Sequence, residues 1–294
     1  MDKLYDFIFE NTYNKTLEDL QDEEAAKIRE DVVVLRKSYQ DKVCVTNYNM
    51  DRLRRAYMIC YFPYYLDPAY DLLKNSVIPL IKENIMSNNK VCLSYFAGGP
   101  CPELVGTLKA FRDSGINKKF EVRILDYEQG WKEQRKITQK VIKKYLPEVK
   151  LSLQTFSGCD LMLDCGFCNN CWEYCKNELY RKTDIYFMQN CLNHIYQKAE
   201  VVENIKNKIS YAKSGAIFVI IDLKYDRVEE IMGKFIKDIE GAAKVVATNV
   251  GKEVASKYFN EVIPDLLKKK IFNGQDGLKA KKLTKYYYAV LIKG

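Results

Sequence analysis

Apolar and polar positions follow two different rhythms along the chain, and the change of rhythm divides it in two. Residues 1–86 place apolar side chains at helical spacing, as between Ile28 and Leu35, without strand-like alternation. From Lys90 onward, short apolar runs alternate with amphipathic segments, which is the order of a parallel sheet covered by helices. The pattern therefore predicts a helical N-terminal region over 1–86 and an α/β domain over 87–294.

Seven short apolar runs in the second part read as strands. They are Val91–Phe96, Phe120–Leu125, Val149–Phe156, Asp184–Met188, Ala216–Asp222, Lys244–Thr248 and Tyr286–Ile292. They predict an α/β fold, namely a Rossmann-like, seven-stranded, mostly parallel sheet with helices on both faces and the helical region in front of it. Within that region, Pro63 and Pro68 are expected to interrupt the helical tract that begins near Asp51.

Composition and charge indicate which partners and which location to expect. The chain has 294 residues, 47% hydrophobic positions and a formal net charge of +8, with basic residues gathered in Lys132–Lys150 and Lys268–Lys293. This excess favours phosphate-bearing partners such as RNA, although solvated lysine faces are also common. No apolar run approaches the length of a membrane span and the start lacks a signal-peptide pattern, so we expect a cytoplasmic protein without a membrane partner. The oligomeric state is not predicted.

Ten cysteines in a cytoplasmic protein are expected to be mostly reduced thiols or metal ligands. Cys165, Cys168, Cys171 and Cys175 follow the spacing C-x2-C-x2-C-x3-C, which matches the bacterial ferredoxin run except that Lys176 replaces the usual proline. We predict an iron–sulfur cluster held by these four thiols. Zinc is the alternative metal, and packed or reactive thiols without metal are a third interpretation.

The four thiols belong to a Cys-rich insertion at 159–176, between the third and fourth predicted strands. Cys159 could replace Cys175 as the fourth ligand of a single cluster. The insertion therefore lies close to the end of the third strand.

A small-residue turn, Ala97–Cys101, joins the first predicted strand to a helix. Glycines in such a turn permit a close approach of backbone and ligand, and the helix start offers unpaired N–H groups. Asp126 and Asp160 follow the second and third strands, and Asn190 follows the fourth. Ligands of open α/β sheets bind at the carboxyl ends of the strands, so these residues are expected at one edge.

From Lys90 to the C-terminus, the chain resembles the class I S-adenosylmethionine-dependent methyltransferases. The segment ending at Glu103 looks like the family's Gly-x-Gly-Pro-Gly-x-Glu turn. Ala97 and Cys101 take the places of the first and third glycines, and Tyr95 stands where an acidic residue is usual. The resemblance implies that S-adenosylmethionine is the cofactor. Its implied binding residues are Ala97, Gly98, Gly99, Pro100, Cys101, Asp126, Asp160 and Asn190.

By the same resemblance, Asp126 accepts hydrogen bonds from the ribose hydroxyls and Asp160 meets the adenine amino group. The segment that contains Asn190 faces the methionine moiety and the substrate. The implied function is methyl transfer to an unidentified acceptor, either a small molecule or RNA. The alternative is a non-catalytic, methyltransferase-like binding or assembly factor that carries a Cys-ligated metal site.

No catalytic residue is assigned from the sequence. His194 is the only histidine, and it is either a general base or a structural side chain. Tyrosines crowd the segment between Tyr57 and Tyr70, where they either pack against the main domain or line a substrate pocket.

Overall fold

The fold was analysed in a computed structural model. It describes residues 3–39, 46–163, 174, 178–196, 199–224, 227–252, 254–256, 263–275, 278–279 and 283–294. The N-terminal part contains the helices α1 (Leu4–Tyr13), α2 (Asp22–Ser38), α3 (Asp51–Cys60), α4 (Phe62–Leu72) and, after a π-helical turn, α5 (Ile78–Ser87). The predicted helical character of this part is thereby confirmed where it is described.

Strands and helices alternate after α5, as the apolar rhythm predicts. The elements are β1 (Lys90–Phe96), α6 (Pro102–Asp113), β2 (Lys119–Asp126), α7 (Lys132–Tyr145), β3 (Lys150–Ser157), β4 (Ile185–Gln189), α8 (Leu192–Ile195), α9 (Ala199–Tyr211), β5 (Ile217–Leu223), α10 (Val228–Asp238), β6 (Lys244–Thr248), β7 (Val254–Ser256), α11 (Asp265–Lys270) and β8 (Thr284–Ile292). A single 3-10 turn, Gln129–Trp131, precedes α7.

The described strands form one sheet in the order β3-β2-β1-β4-β5-β8-β6, and β7 pairs with β8 beside this path. β1 to β5 run parallel, whereas β8 lies antiparallel to β5, β6 and β7. The Rossmann-like, mostly parallel sheet is thereby confirmed. The three-residue β7 was not predicted, because a strand this short shows no readable alternation. The strand order reverses between β1 and β4, and this point is where open α/β sheets bind ligands.

Alternate side chains of the central strands enter two separate cores, one on each face of the sheet. In β5, Ile217, Val219 and Ile221 belong to the core that also contains the N-terminal helices. Phe218 and Ile220 point to the other core, which includes residues of α9 and α10. Strands buried on both faces account for the continuous apolar runs of the sequence. They also place helices on both faces, as predicted.

The prediction that Pro68 interrupts the helix was wrong, because α4 continues through it. Pro68 lacks the N–H that would bond the carbonyl of Tyr64 in a regular helix. The Thr284 hydroxyl at the start of β8 donates to that carbonyl at 3.1 Å. Pro63 stands in the first turn of α4, where a missing N–H costs nothing. The sheet therefore supplies a hydrogen bond that replaces the one missing at Pro68.

α4 packs closely on α6, the helix that follows the Ala97–Cys101 turn. A Cβ atom at Gly106 of α6 would lie 2.3 Å from the carbonyl oxygen of Leu66 in α4. Only a glycine permits this approach of the two backbones. The N-terminal helices are thus held directly against the sheet edge that carries the predicted site residues. Among the described helices, none has the length and hydrophobicity needed to cross a membrane.

Candidate functional site

The turn after β1 folds back on the end of β2. Ala97, Gly99 and Cys101 all have positive φ angles, of 50°, 49° and 61°. The Gly98 N–H donates to the carbonyl of Leu125 at 3.2 Å. A Cβ at Gly98 would come within 2.9 Å of the Ile124 side chain, so this glycine is required by the packing of the turn on β2. Ala97 and Cys101 adopt the backbone angles that glycine would favour in their places.

Asp126, at the end of β2, ties the turn to its own strand. Its Oδ2 accepts the Gly99 N–H at 2.7 Å and its Oδ1 accepts the Glu128 N–H at 2.8 Å. The side chain is buried, and burial raises the pKa of its carboxyl. The two N–H bonds and the nearby Arg135 guanidinium act in the opposite direction. A carboxylate in this position fixes the turn and keeps further lone pairs for other donors.

α7 holds the same turn from the other side. The Nε of Arg135 donates to the Gly99 carbonyl at 2.8 Å, and the Thr138 hydroxyl donates to the Pro100 carbonyl at 2.5 Å. The Nη2 of Arg135 is buried and finds no acceptor. The ring of Trp131 lies 3.4 Å from the position of a Cβ at Gly99. The turn is therefore rigidly held before any ligand arrives.

Glu103, in the first turn of α6, is a buried acid next to this turn. Its Oε1 lies 3.6 Å from the Cys101 thiol. Burial raises the pKa of Glu103 to about 8, against the hydrogen bonds to the carboxylate, and Asp126 adds to the rise. Burial likewise raises the pKa of Cys101 well above its usual range. Glu103 can therefore exchange a proton near neutral pH.

The two remaining predicted residues, Asp160 after β3 and Asn190 after β4, lie beside different strands. The Cys159 N–H donates to the Asp126 carbonyl at 2.9 Å, so Asp160 follows directly beside the end of β2. Its Oδ1 accepts the Met162 N–H at 2.8 Å. Asn190 adopts a φ of 57°, and its Oδ1 accepts the Leu223 N–H at 3.2 Å. Asn190 is thus bonded to the end of β5, whereas Asp160 adjoins Asp126 through the loop.

A continuous group of aromatic rings covers this edge, and we call five of its members the tyrosine cluster. Their neighbouring ring centroids lie between 5.2 and 6.0 Å apart. Trp131 joins the cluster at the glycine turn, 5.4 Å from Tyr57, and His194 joins it beyond β4, 6.0 Å from Tyr39. The cluster consists of Tyr39, Tyr48, Tyr57, Tyr61 and Tyr65.

Three rings of this group are partly exposed even though burial shifts their pKa values strongly. Burial raises the pKa of the Tyr39 and Tyr57 hydroxyls well above the usual range and lowers that of His194 to about 4. We call the partly exposed face formed by Tyr39, Tyr57 and His194 the recess. Glu103 and Asp126 also raise the pKa of Tyr57, which places the cluster beside the acidic groups. Both interpretations of the tyrosines, packing against the main domain and lining a substrate pocket, stay predictions.

The predicted metal ligands Cys165, Cys168, Cys171 and Cys175 lie outside the described residues. Within the described residues, no group of three or more His, Cys, Asp and Glu side chains is arranged to hold a metal ion. Cys159 is disulfide-bonded. The other described cysteines, which are Cys60, Cys92, Cys101 and Cys191, form no disulfide.

Sequence reasoning did not single out four residues of this edge, namely Glu103, Trp131, Arg135 and Gln189. Arg135 and Thr138 lie on the buried face of α7 with Ile142. A charged residue on an apolar helix face could have indicated a functional role, because charged side chains are seldom buried without a partner. Trp131 carries no comparable signal, because its contact with Gly99 depends on the fold.

Comparison with known proteins gives only distant likenesses. No family model and no curated protein sequence matches the chain. Among solved structures, the DszA carbon methyltransferase is 8% identical over 75% of this chain with a TM-score of 0.41, and the chain spans about half of that protein, 53%. The others compared are methyltransferases with similar values.

A protein from Listeria monocytogenes, described as a candidate class I S-adenosylmethionine-dependent methyltransferase, is 12% identical over 99% of this chain and 79% of its own, with a TM-score of 0.43. A tRNA (uracil-54, C5)-methyltransferase from Pyrococcus abyssi, solved with S-adenosyl-L-homocysteine, is 8% identical over 73% of this chain and 38% of its own, with a TM-score of 0.35. Similarities this low leave the activity to be inferred from the chain's own residues.

Proposed function

We propose that this chain is an S-adenosylmethionine-dependent methyltransferase that acts on a small molecule or on RNA. The observation that carries the proposal is the contact between Asp126 and Gly99, which joins the turn after β1 to the acid after β2 at 2.7 Å. It lies where the strand order reverses, at the edge that binds ligands in sheets of this kind. The sequence resemblance to class I methyltransferases supports the same cofactor.

The residues of this edge suit an adenosine group. Asp126 uses each carboxylate oxygen for one N–H, so both oxygens can still accept a ribose hydroxyl. The next side chain, Tyr127, is 64% exposed although it is aromatic, and an exposed ring beside a ribose-binding acid offers a stacking surface for adenine. Asp160 adjoins this position through the loop after β3 and would meet the adenine amino group.

When bound, S-adenosylmethionine supplies a methyl group activated by a positively charged sulfur. The chain's contribution is mainly orientation, because methyl transfer depends on in-line placement of the acceptor. Asp126, Arg135 and Thr138 hold the turn, and the tyrosine cluster excludes water from the acceptor side. Burial raises the pKa of Glu103 to about 8, so it is mostly protonated at neutral pH and only its ionised fraction can take a proton from the acceptor.

The test is calorimetric titration with S-adenosylmethionine and S-adenosylhomocysteine. Asp126→Asn should weaken binding by about 30-fold, because a charged acceptor of the ribose hydroxyls is lost. Asp184→Asn is the matched control. Asp184 also accepts a neighbouring strand's N–H at 2.7 Å, that of Cys92, but at the opposite edge of the sheet. Asp184→Asn should leave the affinity within about twofold.

Wild-type protein that binds neither compound would end the methyltransferase proposal. That result would favour the alternative, a binding or assembly factor that keeps the fold without turnover. Equal losses in Asp126→Asn and Asp184→Asn would instead show a general loss of stability, and would remove Asp126 from the cofactor site.

The four clustered thiols carry a second part of the proposal. Cys165, Cys168, Cys171 and Cys175 are proposed to hold an iron–sulfur cluster, with zinc as the alternative, on the basis of their spacing. Anaerobically purified protein should then absorb broadly in the visible range, and Cys168→Ser should remove this absorption. Colourless protein with one equivalent of zinc would replace the cluster by a structural zinc site.

A further inference from the structure

Gln189, the last residue of β4, has one amide atom without a partner. Its Nε2 donates to the Tyr65 carbonyl of α4 at 2.8 Å, whereas its Oε1 is buried and finds no donor. The side chain is 6% exposed. Rotating the amide by 180° would set its oxygen against the Tyr65 carbonyl, so the orientation is fixed by chemistry. The unpaired atom is therefore an acceptor, and it calls for an N–H or O–H donor.

The unpaired oxygen belongs to a residue that contacts the wall of the recess. Tyr65, whose carbonyl holds the Gln189 amide, stacks on Tyr61 at 5.3 Å and lies 5.8 Å from Tyr57. Tyr57 is partly exposed. An aromatic face attracts a cation placed within about 6 Å of the ring centre. The recess thus combines one hydrogen-bond acceptor with several faces that favour positive charge.

The charges around the recess act in the same direction. Burial raises the pKa of the Cys191 thiol, two residues after Gln189, and the carboxylates of Asp222, Glu103 and Asp126 add to this rise. Three buried acids from three different elements therefore lie near the end of β4. Glu103 is mostly protonated at neutral pH, so the charge at this edge rests on Asp126 and Asp222. Among the described residues that face this edge, Arg135 is bonded to the glycine turn and Arg54 is paired with Asp51. The balance of charge at this edge favours a cationic ligand.

We infer that the recess selects a methyl acceptor that enters as an ammonium group, whose N–H donates to Oε1 of Gln189 while its charge faces the tyrosine rings. The inference rests on the proposed function, since the bound amine is the acceptor of that reaction. The ammonium would first release one proton to water, because only the neutral nitrogen has a lone pair for the methyl group that bound S-adenosylmethionine would supply. The products would be the methylated amine and S-adenosylhomocysteine. It narrows the acceptor to a primary or secondary amine. Gln189 is a specificity-determining residue in this scheme. A neutral alcohol would satisfy the amide oxygen but not the charge, and a quaternary ammonium would satisfy the charge but not the oxygen.

The experiment compares three probes of one size class by calorimetric titration of the protein saturated with S-adenosylhomocysteine. Benzylamine carries both charge and N–H groups, benzyltrimethylammonium carries charge alone, and benzyl alcohol carries a neutral donor. Wild-type protein should bind benzylamine about tenfold more tightly than either of the other two. This preference is a property of wild-type protein, so it does not depend on any variant folding.

Gln189→Met should remove the preference for benzylamine over benzyltrimethylammonium and leave binding of S-adenosylhomocysteine unchanged. It also removes the bond to the Tyr65 carbonyl, so the matched control is Thr284→Val. Thr284 donates to the adjacent carbonyl of α4, that of Tyr64, and Thr284→Val loosens the helix without changing the unpaired oxygen. Thr284→Val should keep the tenfold preference.

The outcomes separate the two proposals. Protein that binds S-adenosylhomocysteine but binds the three probes equally, or loses the preference in both variants alike, overturns the amine inference and leaves the methyltransferase proposal standing. Protein that does not bind S-adenosylhomocysteine overturns the proposed function and this inference with it. Preference for benzylamine in wild type and in Thr284→Val, lost in Gln189→Met, supports the inference.

Discussion

The two sides of the sheet edge differ in how their backbone is held and in which buried polar atom lacks a partner. After β1, the protein itself supplies partners for both backbone groups of Gly99, through Asp126 and Arg135, and for the Pro100 carbonyl, through Thr138. After β4, the Oε1 of Gln189 is buried without a donor. The first side leaves a buried donor, Nη2 of Arg135, without an acceptor, whereas the second side leaves a buried acceptor without a donor.

The two sides suit different tasks in a site that binds two substrates, namely binding of the cofactor and selection of the acceptor. A cofactor shared by many turnovers is served by a turn that is rigid in advance, since preorganisation removes the cost of ordering it on binding. A side that lacks a donor discriminates among ligands, because a ligand without the matching group leaves a buried acceptor unpaired. Helix α4 contacts both sides, because it packs on α6 and its Tyr65 carbonyl binds Gln189. The strongest test of the comparison is therefore a substitution that displaces α4.

Gly106→Ala should have the largest effect, because α4 and α6 approach each other at this glycine. The added Cβ would lie 2.3 Å from the Leu66 carbonyl oxygen, a backbone atom that cannot rotate away. We expect the free energy of unfolding to fall by about 3 kcal/mol, measured by urea denaturation.

Gly233→Ala in α10 is the control for this change. Its Cβ would meet only the Val250 side chain, at 3.7 Å, which is ordinary contact. There the substitution should stabilise the protein by about 0.5–1 kcal/mol, since alanine favours the helix. Equal effects at the two glycines would mean that the α4–α6 crossing does not constrain the edge.

Glu103→Gln should change how the free energy of unfolding depends on pH. Burial raises the pKa of Glu103 to about 8 in the folded protein, from 4.5, so the folded state holds a proton that the unfolded chain loses. Its stabilising contribution is complete below pH 4.5 and is lost as the pH rises toward 8. The wild type should therefore lose stability relative to Glu103→Gln between pH 5 and pH 8.

Denaturation curves of both proteins across this range measure the effect. Asp126 lies near Glu103 and titrates in both proteins, so its contribution largely cancels in the difference. A constant difference between the two proteins would show that burial does not raise the pKa of Glu103.

The sheet could be predicted from the sequence because its signal is local. Strands buried on both faces read as apolar runs, and Asp126 and the Ala97–Cys101 turn follow such runs directly. Pro68 was misread for a non-local reason, since the bond that compensates for it comes from Thr284, more than 200 positions away. Gln189 was passed over for the same reason. Its role depends on the Tyr65 carbonyl, which only the fold brings to it.

Arg135→Met tests the side of the edge that follows β1. It keeps the length of the side chain but removes the bond to the Gly99 carbonyl, so the turn becomes less ordered before binding. We expect the affinity for S-adenosylhomocysteine to fall about tenfold in calorimetry. Thr138→Val removes only the bond to the Pro100 carbonyl and should cost about threefold. Unchanged affinity in Arg135→Met would mean that the turn is ordered by Asp126 alone.

The prediction for His194 has the smallest expected effect, and it tests whether the side of the edge that follows β4 is closed to water. Burial lowers its pKa to about 4, so the ring is neutral at pH 7 and its protonation costs stability only as the pH falls below about 6.5. Because it is the only histidine in the chain, its ring protons give one assignable set of NMR signals. These signals should not shift between pH 7 and pH 5. A midpoint near 6.5 would place the ring in water, and the recess that joins it to Tyr39 would then be open at this end.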